Sequence, residues 1–224
     1  PFKVIEETLS IRDKKAPGGV KEQKIKIRLT QRGPVISGIF PNFKTDKVLS
    51  LRWSLVENMG AEMGIKELIQ ATSVTEVREA LRHVDSLMLN FTFADTEGNI
   101  GWQVSGNLPL RSRGDGTVPF AITDSGDNWS GWVPFDEMPQ SYNPKRGWIG
   151  TCNHYTIPND YPYYYSSHLA PSYRYRRLNQ LLDPQRLNTV DDHWRFQRDT
   201  FNLMAQSIAP LMARALVPHE DTRR

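Results

Sequence analysis

Leu87, Leu89, Phe91 and Phe93 alternate with Met88, Asn90, Thr92 and Ala94, and after Asp95-Thr96-Glu97-Gly98 the alternation resumes with Ile100, Trp102 and Val104. Successive side chains of a strand point to opposite faces, so a two-residue period on both sides of a polar, glycine-bearing reversal reads as an antiparallel hairpin. Residues 4–11 and 23–30 show the same period, with Ile25, Ile27 and Leu29 set against Lys24, Lys26 and Arg28. Ala16-Pro17-Gly18-Gly19 supplies the turn between them. Residues 34–39 and 48–55 continue the pattern and predict a meander of about four strands.

Helical signals interrupt and then follow the strands. Ser73 stands three residues before Glu76 as a capping box, and Val77, Leu81 and Val84 recur at helical spacing behind it. Residues 106–170 are rich in Pro, Gly, Asn and Tyr and show one further strand signal, at 147–153. Long irregular stretches of this kind are usually functional or wrap something else. The end of the chain reads as helix over 173–182. A longer helix, capped by Thr189, carries Trp194, Phe201, Met204, Ile208, Leu211 and Ala215 on one stripe, with a kink at Pro210. The expectation is an α+β fold in three stretches: 1–110 strand-rich with one short helix, 111–170 irregular, and 171–216 helical.

Composition narrows the function classes. A formal charge of +3, with 28 basic residues spread among 25 acidic ones, lacks the concentrated basic face that neutralises phosphates, so no nucleic-acid partner is expected. No apolar run approaches bilayer length and no signal-peptide pattern is present, so no membrane span is expected. Cys152 is the only cysteine and forbids an internal disulfide. The general catalytic motifs are missing: no phosphate-binding glycine loop, no Cys/His metal cluster, no nucleophile elbow. His154, Asp160 and Ser166 share a loop, but triads are usually assembled from distant segments. Arg174, Arg176 and Arg177 near Tyr161–Tyr165 read more readily as an exposed helix face beside packed tyrosines than as an anion patch. Asn90-Phe-Thr and Asn128-Trp-Ser match the glycosylation pattern, which arises readily by chance.

Longer constellations carry more. Phe93-Ala-Asp-x-x-Gly98-Asn-Ile-Gly-Trp102 is followed by Gly106, Pro109, Arg111 and Gly114-Asp115-Gly116. Then come Trp129-x-Gly131-x-x-Pro134-Phe135-x-Glu137-x-Pro139 and Asn143-Pro144-x-x-Gly147-x-Ile149-x-x-x-Asn153. Asp160-Tyr161-Pro162, Tyr173-Arg174, Leu181-Leu182, Thr189-x-Asp191-Asp192, Gln197 and Asp199 complete the series. In order and spacing these pieces cover most of residues 30–200, and the chain resembles the penicillin acylase family of N-terminal-nucleophile hydrolases.

That resemblance implies part of an αββα sandwich, antiparallel strands with C-terminal helices, from a precursor that cuts itself to expose a Ser whose α-amino group acts as base. Pro1 cannot be that nucleophile; the resemblance places the chain inside the family's β-chain, so the fragment alone is expected to be inactive. Asn153 matches the oxyanion-stabilising asparagine, Arg174 an arginine that orients it or the substrate, and Trp53 and Leu89 positions lining the acyl pocket. The implied substrate is a small acylated amide, of β-lactam side-chain or acyl-homoserine lactone type, and the implied compartment is the periplasm or outside the cell. Implied partners are the remaining α- and β-chain segments, with a homo-oligomer of the fragment plausible. The alternative is a noncatalytic binding or structural module. Two positions depart from the pattern: Arg32 stands where the family has His before Gly33-Pro34, and Tyr163-Tyr164-Tyr165 replaces an aspartate that helps bind calcium. Calcium in the parent therefore rests on Asp160 at best, with no cofactor expected in the fragment.

Overall fold

The structure, a computed structural model, describes residues 2–42, 44, 46–60, 63–122, 128–182 and 187–216; Pro1 lies outside them. Strand β1 (Lys3–Arg12) pairs antiparallel with β2 (Val20–Thr30), in a register that sets Ile5 opposite Ile27 and Glu6 opposite Lys26. Ile25, Ile27 and Leu29 are half-buried while Lys24, Lys26 and Arg28 are exposed, as the period requires. The expected third and fourth strands barely extend the sheet. Strand β3 is only Gly33–Pro34, and Val35 makes a single bridge to Ser50. Pro34 has no donor for a ladder, and the Ser37 hydroxyl accepts the Leu49 N–H at 2.7 Å in place of a backbone carbonyl. The end of the strand expected over 48–55 instead enters helix α1 (Ser54–Glu57).

Helix α2 (Ile65–Gln70), which the sequence pattern did not signal, packs against α3 (Val74–Leu81). The Ser73 hydroxyl accepts the Glu76 N–H as the capping pattern predicts, while the Glu76 carboxylate turns back onto the Thr72 N–H and hydroxyl. Val74, Ala80, Leu81 and Val84 are buried, and α3 leans on the hairpin of β4 (Asn90–Ala94) and β5 (Ile100–Val104). Asp95 closes that hairpin by accepting the N–H groups of Glu97 and Asn99.

The segment expected to be irregular contains three short strands. β6 (Pro109–Arg111) pairs with β7 (Trp129–Trp132), and β8 (Gln140–Tyr142) adds to β5. Between them Trp102, Val104, Leu108, Val133 and Met138 form the buried core cluster, with Leu110, Ile149, Tyr163 and Tyr165 packed against it. The strand expected at 147–153 is not one: those residues join no ladder, and Asn153 takes a left-handed backbone, φ 56°.

At the C-terminal end α4 (Tyr173–Leu181) is followed by two helices where one was expected, α5 (Val190–Gln197) and α6 (Leu203–Leu216). Thr189 and Asp192 form a reciprocal capping box. The break comes from local side-chain competition for backbone donors. Asp199 accepts the Phe201 N–H, and Asn202 accepts those of Met204 and Ala205, starting α6 anew. Helix α6 runs through Pro210 and packs on α4. Much apolar surface remains open, including Val4, Leu9, Ile11 and Val20 on the β1–β2 ribbon and Leu211, Met212 and Leu216 on α6.

One register pair explains two residues of the long constellation. Phe93 faces Gly101 across the hairpin, and a Cβ at Gly101 would lie 2.1 Å from the Phe93 ring, so the ring covers the backbone that glycine leaves bare. Gly101→Ala is expected to destabilise by about 1–3 kcal/mol through overpacking. Urea denaturation of the variant beside Gly101→Ala/Phe93→Leu checks this, the second change recovering part of the loss.

Candidate active site

Among the described residues two asparagines have left-handed backbones, Asn143 and Asn153, a conformation Asn tolerates better than most residues. Their side chains are used differently. Asn143 Oδ1 accepts the Ile100 N–H at 2.9 Å and its Nδ2 donates to Asn99 Oδ1 at 2.9 Å, so both ends of the amide tie β8 to the hairpin. Asn153 has only its acceptor end engaged: Arg174 Nη2 donates to Asn153 Oδ1 at 3.2 Å and to the Cys152 carbonyl at 2.6 Å. Only oxygen can accept from a guanidinium, so this contact fixes the amide orientation. Nδ2 of Asn153 has no hydrogen-bond partner among the described residues, and the residue is exposed.

The backbone around Asn153 is held from several sides. Its N–H donates to Thr151 Oγ1 at 3.3 Å, and its carbonyl accepts the Ala170 N–H at 2.6 Å. Arg174 comes from the first turn of α4, which carries no acidic residue. Helix α4 approaches the loop closely at Gly150, where a Cβ would sit 2.6 Å from Leu178 Cδ2.

His154, next to Asn153, is buried and its ring stacks on Tyr175 of α4, centroids 3.7 Å apart and planes 13° from parallel. Its Nδ1 accepts the Cys152 N–H at 3.4 Å. Arg146 donates to the Tyr175 hydroxyl at 2.7 Å and to the Trp148 carbonyl at 2.8 Å, and its guanidinium lies 4.2 Å from the Trp148 ring centroid. Burial, then the charges of Arg146 and Arg174, push the His154 imidazole below its ordinary value, which favours the neutral ring. Trp102, Ser141, Arg146, Ile149, His154 and Tyr175 are among the walls of a cavity of ≈ 470 Å³. The sequence reading missed this His154–Tyr175–Arg146 group; no periodic or spacing signal joins positions 146, 154 and 175.

Trp53 and Leu89 lie elsewhere. Trp53 is the N-cap of α1 and 52% exposed, and Leu89 is 47% exposed on the approach to β4. The bend after β5 bonds Leu89 directly and the far end of α1 from Trp53. Ser105 donates its N–H to the Leu89 carbonyl, and Asn107 donates to Asn58 Oδ1 at the end of α1. Among the described residues no hydrogen bond or ring contact links either one to Asn153.

The other sequence candidates find structural partners. No hydrogen bond among the described residues joins His154, Asp160 and Ser166; the Ser166 hydroxyl accepts the His168 N–H. Arg177 pairs with Asp199 at 2.6 Å, Arg176 lies over Tyr173, and Asn90 accepts the Trp102 indole N–H. No group of three or more His, Cys, Asp or Glu able to hold a metal occurs among the described residues. Asp160 belongs to no such group. No described helix is long and apolar enough to cross a membrane.

The chain is similar to several known proteins. The chain is 27% identical over 222 residues to the penicillin acylase 2 proenzyme of a Pseudomonas strain, covering 95% of this chain and 28% of that protein. It is 30% identical over 145 residues to the acyl-homoserine lactone acylase QuiP of Pseudomonas aeruginosa, covering 65% of this chain and 17% of that one. Among solved structures, a thermostable penicillin G acylase from Alcaligenes faecalis superposes with a TM-score of 0.64 at 21% identity, over 98% of this chain and 39% of that chain. The chain thus spans less than a third of these curated relatives and shares the α+β fold of part of an acylase. The penicillin amidase family model matches residues 1–224, and the chain belongs to that family.

Proposed function

We propose that this chain is part of an amidohydrolase that cleaves the amide of a small acylated substrate, of the β-lactam side-chain or acyl-homoserine lactone type. In this reading a Ser at the N-terminus of a self-processed chain, outside these 224 residues, attacks the amide carbon. Its own α-amino group takes the proton and returns it to the leaving amine, and water then releases the acyl group from the ester. The parent is processed and acts in the periplasm or outside the cell, and its remaining segments cover the open apolar faces of β1–β2 and α6.

What carries the reading is the one-sided use of the Asn153 amide. With Oδ1 tied by Arg174 and Nδ2 without a partner among the described residues, the exposed Asn153 amide is a preset neutral donor, which is what a developing oxyanion requires. A neutral donor also leaves a nearby amine basic, whereas a lysine in the same place would lower its proton affinity. Arg174 acts through the asparagine, holding its rotamer and its turn. Leu89, bonded to the bend at 105–107, and Trp53, on the helix whose far end bonds that bend, supply apolar wall for the acyl group. No step runs through a metal.

Two measurements on the full-length protein test this. Mass spectrometry should find the precursor split, and Asn153→Ala should lower the release of a chromogenic amine from phenylacetyl and longer acyl amides by ~10²–10³-fold in kcat. An unsplit chain that cuts no amide ends the hydrolase reading and leaves a binding module of the family fold. Arg174→Lys keeps the charge but not the fork, so kcat should fall, and adding it to Asn153→Ala should cost almost nothing further. Additive losses would instead assign Arg174 a direct role on the substrate.

A further inference from the structure

The turn that presents Asn153 is gripped from two sides, and only one grip belongs to Arg174. On the other side His154 points inward and is wedged between the N–H of Cys152 and the ring of Tyr175. Cys152 is therefore held at both ends of its backbone, its N–H by an imidazole nitrogen and its carbonyl by a guanidinium. The two clamps meet on α4, because Tyr175 follows Arg174 in the chain. The left-handed backbone of Asn153 at φ 56°, which Asn tolerates better than most residues, is held by this double grip.

We propose that His154 is a positioning residue for Asn153: its neutral imidazole accepts the Cys152 N–H and its stack on Tyr175 docks the turn onto α4, so that protonating the ring releases the oxyanion donor. The inference rests on the hydrolase reading above for its effect on catalysis, and on the geometry alone for its effect on the turn. An imidazole that accepts at Nδ1 carries its proton on Nε2; a second proton must go to Nδ1 and turn the acceptor into a donor facing another donor. The ring lines the ≈ 470 Å³ cavity, whose polar walls give solvent protons a way to it.

The charged and titratable groups around the ring are Arg146 from the preceding loop, Arg174 and Tyr175 from α4, and Cys152 and Tyr155 on its own segment. Both cations oppose its protonation. The folded state thus holds the proton less tightly than the unfolded chain. Between the ordinary value of 6.5 and the lower folded value the unfolded state binds more protons, so stability is lost as pH falls through that window and is fully present above it.

The test compares wild type, His154→Phe and His154→Asn in the full-length protein. Phenylalanine keeps a ring for Tyr175 but has no acceptor; asparagine places Oδ1 one bond from Cγ, as histidine does Nδ1, and does not titrate. His154→Phe should lower kcat roughly 10- to 100-fold with little change in KM, the scale expected when a catalytic group is misplaced by about 1 Å. It should also speed alkylation of Cys152 by iodoacetamide, quantified on the Cys152 peptide. His154→Asn should restore most of both and remove the acid-side loss of kcat expected of wild type as pH falls below the ordinary imidazole value. Unchanged Cys152 alkylation in His154→Phe, or a His154→Asn as impaired as His154→Phe, overturns the proposal. Should wild type cut no amide, the hydrolase reading falls while the alkylation rates still decide whether His154 holds the turn.

Discussion

Arg174 sits in the first turn of α4, where the positive pole of the helix disfavours a cation by ~0.3–1 kcal/mol. It is held there by two charge-assisted acceptors on consecutive residues, the Cys152 carbonyl and Asn153 Oδ1. Both acceptors meet one guanidinium nitrogen beside the left-handed backbone at Asn153. The helix start, the left-handed turn and the free amide end are therefore one arrangement. Removing the arginine would leave a positive φ with less to sustain it and an amide free to rotate.

The rest of the chain supports that arrangement through the core. Ile149 enters the loop and Tyr163 and Tyr165 leave it, and all three pack on the cluster of Trp102, Val104, Leu108, Val133 and Met138. Both ends of the loop are thus pinned to the β4–β5–β8 sheet, while its tip is pinned to α4. Asn143, its amide spent at both ends, locks β8 to the hairpin just before the loop begins. Rigid elements hold a reactive group better than a free loop does. Here the loop borrows its rigidity from a sheet behind and a helix in front.

Local signals were legible where the deciding interactions are local. The 87–104 hairpin follows from a two-residue period and an Asp-led turn, and Ser73 and Thr189 mark helix starts because a hydroxyl three residues upstream meets the N–H it caps. Reading failed where short polar side chains outbid the regular ladder. Asp199 and Asn202 split the last helix, and Pro34 and Ser37 broke the expected meander. Residues 147–153 are apolar and glycine-bearing like a strand, yet they join no ladder, which the sequence around them does not disclose. The Asn153–Arg174 pair spans 21 positions and has no periodic trace, so only resemblance named it. His154 drew notice for a triad it does not form, because its acceptor and its stack are set by tertiary contacts.

Exposure alone cannot single out Trp53 and Leu89, because apolar exposure is common in this chain. Val4 is 52% exposed, Leu211 62% and Ile69 79%, and a long two-stranded ribbon such as β1–β2 is marginal in water without a covering layer. What distinguishes Trp53 and Leu89 from the ribbon and from α6 is attachment. Val4, Leu9, Ile11 and Val20 of the ribbon are exposed, which suits burial by other segments of the protein. Trp53 and Leu89 are instead hydrogen-bonded through their elements to the bend at 105–107, which leaves the buried strand β5 directly. A covering layer needs area; a pocket wall needs fixed position as well, since a recognition surface that moves gives up affinity when it orders. By that criterion the bend is the better place for an acyl wall, and the ribbon and α6 are the better places for a lid of other chain.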